Sequence, residues 1–241
     1  MPERSVTYRA RAEKAGDRDK KYPLAEAVAM VKSMGEISSS KSYKGSRKRK
    51  GFDQTVELVM HLGIDPKQAD QMIRGSISLP KGIGASRKVI AFCPEDMVPI
   101  AKEAGAIEAG ADELIKKVSE GWSDFDVAIA HPQVMGKVGK LGRVLGPQGK
   151  MPSPKSGTVT ADLAQAVREY AAGKLEYRND AGGNLHAVVG KTSFSVADLQ
   201  TNIEAFIEHV RRVKPSASKG LYIKKVSLSG TMTPGVMVEI G

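Results

Sequence analysis

GKVGKLGRVLGPQGKMPSPKSGTVT, residues 136–160, separates a segment that reads as a buried strand from one that reads as a helix. It carries five basic residues, six glycines and three prolines, and no acid occurs from Val127 to Ala161. Glycine and proline interrupt both helix and strand ladders, so the stretch reads as one long loop rather than one regular element. A loop of this length in a compact domain carries function, unless it is disordered.

Working outward, the flanks alternate strand and helix. Upstream lie a short apolar run at Lys88–Cys93, helical stretches at 95–104 and 111–120, and a second apolar run at Phe125–Ala130, after which Pro132 can open a helix. Downstream, residues 161–172 offer a small apolar face. Such alternation predicts a small parallel-sheet α/β domain.

The outer parts of the chain read differently. Residues 4–16 suggest a polar helix, and Leu24, Ala27, Val28, Val31 and Met34 form the apolar stripe of a second. From Asp53 to Leu62 the period becomes two, with Val56, Leu58, Met60 and Leu62 on the buried side. Gly63 ends that strand, Asp65-Pro66 opens a short helix to about Ile73, and a brief strand follows at 76–79. After Gly173 come strands at 174–179 and 185–191 and a helix that Ser195 can cap. Strands at 221–229 and 236–240 complete the chain. The expected fold is therefore mixed, α+β and α/β. A discontinuous split α+β sandwich, residues 1–80 plus 173–241, surrounds an inserted α/β domain at 81–172, with Pro80–Gly84 as the hinge.

The chain has 241 residues, a formal charge of +10 and only 5% aromatic residues. The cores must be aliphatic, and clustered cations favour a polyanionic partner. A single cysteine, Cys93, excludes an intrachain disulfide and fits a reducing compartment. It ends an apolar strand and reads as packing rather than as a nucleophile. No membrane-spanning run or secretory signal is read, so a cytoplasmic protein is expected.

No catalytic constellation emerges. Five Gly-Lys pairs invite a phosphate-loop reading, but the glycine required five residues earlier is replaced by Leu185, Val144, His131, Val134 or Arg168. The histidines at 61, 131, 186 and 209 are scattered, so no metal, and no cofactor, is expected. Residues 38–51, SSSKSYKGSRKRKG, hold six cations between Lys41 and Lys50 without an acid. Arg47, Lys48, Arg49 and Lys50 either grip phosphate or form a solvated loop.

LGRVLGPQGKMPSPKSGTVT resembles the signature of the large-subunit ribosomal protein L-one family, roughly L-G-x-x-L-G-P-R-G-x-M-P-N-P-K-x-G-T-V-T. Gln148 stands at the usual Arg, Lys150 at an apolar position and Ser153 at the usual Asn. FDQTVELVMHLGIDPKQADQMIRG, YRNDAGGNLHAVVGK and KGLYIKKVSLSGTM extend the resemblance over nearly the whole chain.

The resemblance implies a non-enzymatic, ribosome-associated protein that binds large-subunit rRNA at the mobile stalk near the tRNA exit site. It also implies binding of exit-site tRNA and of its own operon mRNA, whose translation it represses. Neither DNA nor membrane is an implied partner. A dedicated mRNA-binding repressor outside the ribosome is the alternative, and a phosphate-ligand enzyme on the inserted domain a distant one.

Carried over by residue, the implied RNA contacts are Phe52, Thr55, Lys225, Thr231 and Met232. On charge alone, Lys140, Arg143 and Lys150 of the signature stretch are candidate secondary contacts, as are Arg47–Lys50 if that run grips phosphate. Without the resemblance, Phe52 reads rather as a strand-edge core residue and Met232 as a loop hydrophobe folded inward. In Thr231-Met232-Thr233-Pro234-Gly235, Thr233 stands at a common Gly. It is expected extended before proline, with Gly235 free to take the turn.

If the basic run grips phosphate, replacing Arg47, Lys48, Arg49 and Lys50 by Ser should flatten the plot of log affinity against log salt. Each lost phosphate contact should remove roughly 0.7–0.9 from the slope. Binding titrations across a salt series measure this, and an unchanged slope identifies a solvated loop.

Overall fold

A computed structural model describes residues 5–17, 19–37 and 52–239. The basic run at 38–51, and with it Arg47–Lys50, lies outside the described residues.

In chain order the elements are α1 (Val6–Ala15), β1 (Lys21–Tyr22), α2 (Leu24–Gly35), β2 (Thr55–Leu62), β3 (Arg74–Ile77) and β4 (Val89–Phe92). Next come α3 (Val98–Glu103), β5 (Glu108–Gly110), α4 (Asp112–Ser119), β6 (Val127–Ala130), α5 (Met135–Val138) and α6 (Gly142–Leu145). The chain continues with α7 (Leu163–Ala171), β7 (Leu175–Arg178), β8 (Asn184–Lys191), α8 (Val196–Arg212), β9 (Ile223–Gly230) and β10 (Val236–Val238). Two compact units result, one of residues 1–73, 79–84 and 177–241, the other of 74–78 and 85–176. Residues 74–78, expected in the outer domain, thus group with the inserted one, where Arg74 pairs with Glu176 at 2.8 Å.

The first unit is built on a sheet of order β1-β10-β9-β2-β8. Its pairings are antiparallel except that of β1 with β10. The period of two in β2 is realised: Val56, Leu58, Met60 and Leu62 are buried, and Thr55, Glu57, Val59 and His61 are half-buried. Helices α2 and α8 pack on this sheet and on each other. They bring in Ala27, Val28, Val31 and Met34 from α2, and Leu199, Ile203, Phe206 and Val210 from α8. Each Val, Leu, Ile, Met or Phe buried in this way contributes about 1.5–3 kcal/mol. Ser195 caps α8, its Oγ accepting the Asp198 N–H at 3.0 Å.

The second unit holds a three-stranded parallel sheet, β5-β4-β6. All four residues of β4 are buried, because helices cover both faces. Val89 and Ala91 pack against Ala101, Leu163, Val167 and Tyr170 on one face. Ile90 and Phe92 pack against Leu114, Val118, Val138, Leu141 and Leu145 on the other. Cys93 belongs to the first of these cores, and burial raises its thiol pKa.

Three expectations need correction. The 65–73 helix is only a 3-10 turn at Ala69–Gln71, and the strand expected at 76–79 lies at Arg74–Ile77. The signature stretch is not one long loop, since residues 132–145 run through successive helical turns. Val134, Val138, Leu141 and Leu145 are buried at helical spacing. That period was present in the sequence, and the interleaved glycines hid it. Only after Leu145 does the chain become irregular, apart from a 3-10 turn at Pro154–Ser156, until Val159 bridges to Ala130.

Asn202 is fully buried on the apolar face of α8. Its amide donates to Gly82 O at 2.9 Å and Val189 O at 2.8 Å, and its Oδ1 accepts the Lys81 N–H at 3.0 Å. This one side chain fastens the 79–84 crossing to β8. Asn202→Leu should cost about 1–3 kcal/mol for each buried group left unpaired. Urea unfolding should show a lower midpoint with little change in slope.

Candidate nucleic-acid interface

The sequence-predicted contacts of the first unit converge where β2 begins and β9 ends. Val56 of β2 sits opposite Gly230 of β9, so the residues just beyond, Thr55 and Thr231, meet at the sheet margin. The Thr231 N–H donates to Thr55 O at 3.1 Å, and Thr231 Oγ1 accepts the Thr55 N–H at 3.2 Å. The same hydroxyl lies 3.4 Å from Thr55 O. The threonine pair therefore extends the β2–β9 ladder by one step through a side chain. The Thr231 hydroxyl, named as an RNA contact by the resemblance, thus ties the two strands together.

Phe52 and Met232 flank this corner with 59% and 55% of their surfaces exposed. They are not core residues. Beneath them lies Gln54, which sequence reasoning missed. It is 1% exposed, and its Oε1 accepts the Met232 N–H at 3.1 Å. Its Nε2 donates to Gly35 O at 3.3 Å, while its backbone exchanges hydrogen bonds with Thr192. The signal was its parity, since Gln54 continues the buried row of Val56, Leu58 and Met60.

Asp53 secures the approach to the corner. Burial alone would raise its pKa, but the Ser193 and Thr192 hydroxyls and the Ser193 N–H donate to its carboxylate and hold the pKa below the usual value.

In the 231–235 loop the turn does not fall to Gly235. Among the described residues no non-glycine has a positive φ, and Gly235 is not among the positive-φ glycines. The turn is closed instead by Thr233, whose N–H donates to Gly230 O at 3.1 Å and whose Oγ1 accepts the Gly230 N–H at 2.7 Å. The crowded glycine is Gly230: a Cβ there would sit 3.2 Å from Gln54 Oε1 and 3.3 Å from Thr233 Oγ1.

Lys225 is exposed on β9 and stands opposite His61 of β2. Six positions from Thr231 along an extended strand, it lies roughly 20 Å from the corner and is not brought into it. In the second unit, Lys140 and Arg143 are exposed on the helical turns. Lys150 is committed elsewhere: its ammonium donates to Ser123 O at 3.0 Å and Phe125 O at 2.5 Å and lies 4.9 Å from the Phe125 ring centre. An apolar residue at this position could not cap those carbonyls. The geometry assigns Lys150 to folding of the 123–125 turn.

Among the described residues no group of three or more potential metal ligands occurs, and no helix is long and apolar enough to cross a membrane. The corner offers an exposed aromatic, an exposed thioether and a rigid backbone, an arrangement suited to a base or sugar rather than to bond-making chemistry.

Thr233→Gly should lower the melting temperature, because it removes the hydroxyl that satisfies the Gly230 N–H. A loss of about 1 kcal/mol is expected from that bond, with more from the added backbone freedom. Thermal unfolding of the purified variant measures it, and an unchanged midpoint would show that the turn closes without Thr233.

Comparison with known proteins places the chain in a family. Residues 41–234 match the Ribosomal protein L1p/L10e family. The chain is 49% identical over 237 residues to the Large ribosomal subunit protein uL1 of Nocardioides sp., spanning 98% of this chain and 93% of that one. It is 48% identical over 223 residues to the protein of the same name from Chlorobaculum tepidum, spanning 92% and 91% respectively. A third such protein, from Streptomyces coelicolor, is 49% identical over 239 residues, 99% of this chain and 93% of that one. The chain belongs to the Ribosomal protein L1p/L10e family.

Proposed function

We propose that the protein is a structural, non-enzymatic component of the large ribosomal subunit, works in the cytoplasm on the ribosome, and binds large-subunit rRNA through the Phe52–Met232 corner. The observation that carries the reading is the corner itself. Two large apolar side chains stand exposed on a margin whose backbone is fixed by Thr55, Thr231 and Gln54. Stacking or packing on an unpaired base or sugar would cover them, and structured RNA is recognised in this way together with phosphate contacts. A formal charge of +10 supplies the long-range attraction. The relatives are named as proteins of the large ribosomal subunit, and their similarity spans nearly the whole chain.

Three finer readings go with it. The rRNA element is the mobile stalk beside the tRNA exit site, exit-site tRNA is a second partner, and the operon mRNA is bound at the same corner for repression. Lys225, Lys140 and Arg143 supply phosphate contacts away from the corner. The two-unit organisation lets the first unit carry the specific affinity. Sedimentation with the large subunit through a high-salt wash distinguishes this reading from a repressor that acts off the ribosome.

Phe52→Ala and Met232→Ala should each weaken binding to an rRNA fragment protected by the wild type. The loss from Phe52→Ala should be about 1–3 kcal/mol if its ring stacks on a base. Melting temperatures should hardly change, because both residues are exposed. Undiminished affinity in both variants would remove the corner from the interface.

A further inference from the structure

Arg11 lies in α1 yet is only 9% exposed. Its Nε donates to Met34 O at 3.1 Å, Nη2 to Ile37 O at 2.7 Å and Nη1 to Met232 O at 2.9 Å. Among the described residues no carboxylate forms an ion pair with it. A guanidinium this deep is costly unless its donors are used, and here backbone carbonyls use them. Those carbonyls come from the last turn of α2, from Ile37 two residues beyond it, and from the exposed loop that follows β9.

The Met232 peptide group environment is thus held from two sides. Gln54 takes its N–H and Arg11 takes its C=O, while its side chain remains 55% exposed. Fixing the backbone under a flexible apolar side chain lowers the ordering cost of any contact that side chain makes. Helix α1 packs on α2, and its buried residues are Arg11 and Ala15. The side chain that holds the loop through Met232 O thus also docks the helix, through its bonds to Met34 O and Ile37 O.

We propose that Arg11 is a positioning residue for RNA binding. Helix α1 acts as a strap whose docking pre-forms the Met232 loop, so that RNA binding and α1 docking are thermodynamically coupled. This inference rests on reading the Phe52–Met232 corner as the RNA site. Coupling is reciprocal: if docked α1 favours RNA, bound RNA must favour docked α1 by the same factor.

The test compares wild type, Arg11→Met, Arg11→Lys, Met232→Ala, Lys225→Ser and the double variants of Arg11→Met with each of the last two. Affinity for the protected rRNA fragment, melting temperature and α1 amide exchange with and without RNA are measured. Arg11→Met should weaken binding about tenfold, within the usual range of coupling between sites. Arg11→Lys should recover only part of this, because one ammonium cannot span three carbonyls. The losses from Arg11→Met and Met232→Ala should combine to less than their product, and those from Arg11→Met and Lys225→Ser should multiply. RNA should slow α1 exchange in the wild type.

If Met232→Ala weakens binding and Arg11→Met does not, the interface stands and the strap is overturned. Multiplicative losses for Arg11→Met and Met232→Ala also overturn it. If neither Phe52→Ala nor Met232→Ala has an effect, the interface reading falls and takes the strap with it. Should Arg11→Met unfold, the wild-type exchange measurement decides, and α1 amides indifferent to RNA refute the coupling.

Discussion

The central constraint is that β2 pairs on both sides with strands from the far end of the chain. It is bonded to β8 along one edge and to β9 along the other. Leu62 ends β2 and Asn184 begins β8, so the first unit cannot complete its sheet until the whole insert has been spanned. Loop closure grows only slowly with length, each doubling adding about 0.6 kcal/mol, so the insert is thermodynamically tolerable. Kinetically it matters more, because distant pairing is slow. The second unit, with β4, β5 and β6 close in sequence, has the more local pairings.

Much of this was legible because the governing periods are strong. The alternation in β2 set its buried row, and the stripe of α2 and the Ser195 cap of α8 gave the helices that cover the sheet. Four consecutive apolar residues in β4 declared a strand buried on both faces. What escaped was what tertiary context alone creates. Lys21-Tyr22 is too short to show a period and is a strand only because β10 lies alongside. The helical turns at 132–145 were concealed by glycines that lower helix propensity by about 1 kcal/mol each without abolishing burial of Val138, Leu141 and Leu145.

The candidate site divides along the same line. Resemblance named Phe52, Thr55, Thr231 and Met232, and the structure brings these four to one corner. Side-chain partners were beyond the sequence: Lys150 reads as a surface cation until Ser123 and Phe125 present carbonyls to it. Gln54, Asn202 and Arg11 occupy inward positions, where a polar residue is expensive unless every group finds a partner. Their partners are backbone groups far away in sequence, and no local pattern announces them.

These three side chains suggest how an aliphatic protein with few aromatics holds an irregular margin in one shape. Packing in cores of Val, Leu and Ile fixes strands and helices, but the chain near Met232, Gly82 and Ile37 has no ladder to constrain it. The carbonyl of each of these residues instead accepts a directed bond from a buried amide or guanidinium. A directional bond fixes position where dispersion contacts would leave several packings nearly equal. Exposed Phe52 and Met232 can then remain uncovered without collapsing inward, because the backbone beneath them has no freedom to fold over. The margin stays open through polar anchoring from below.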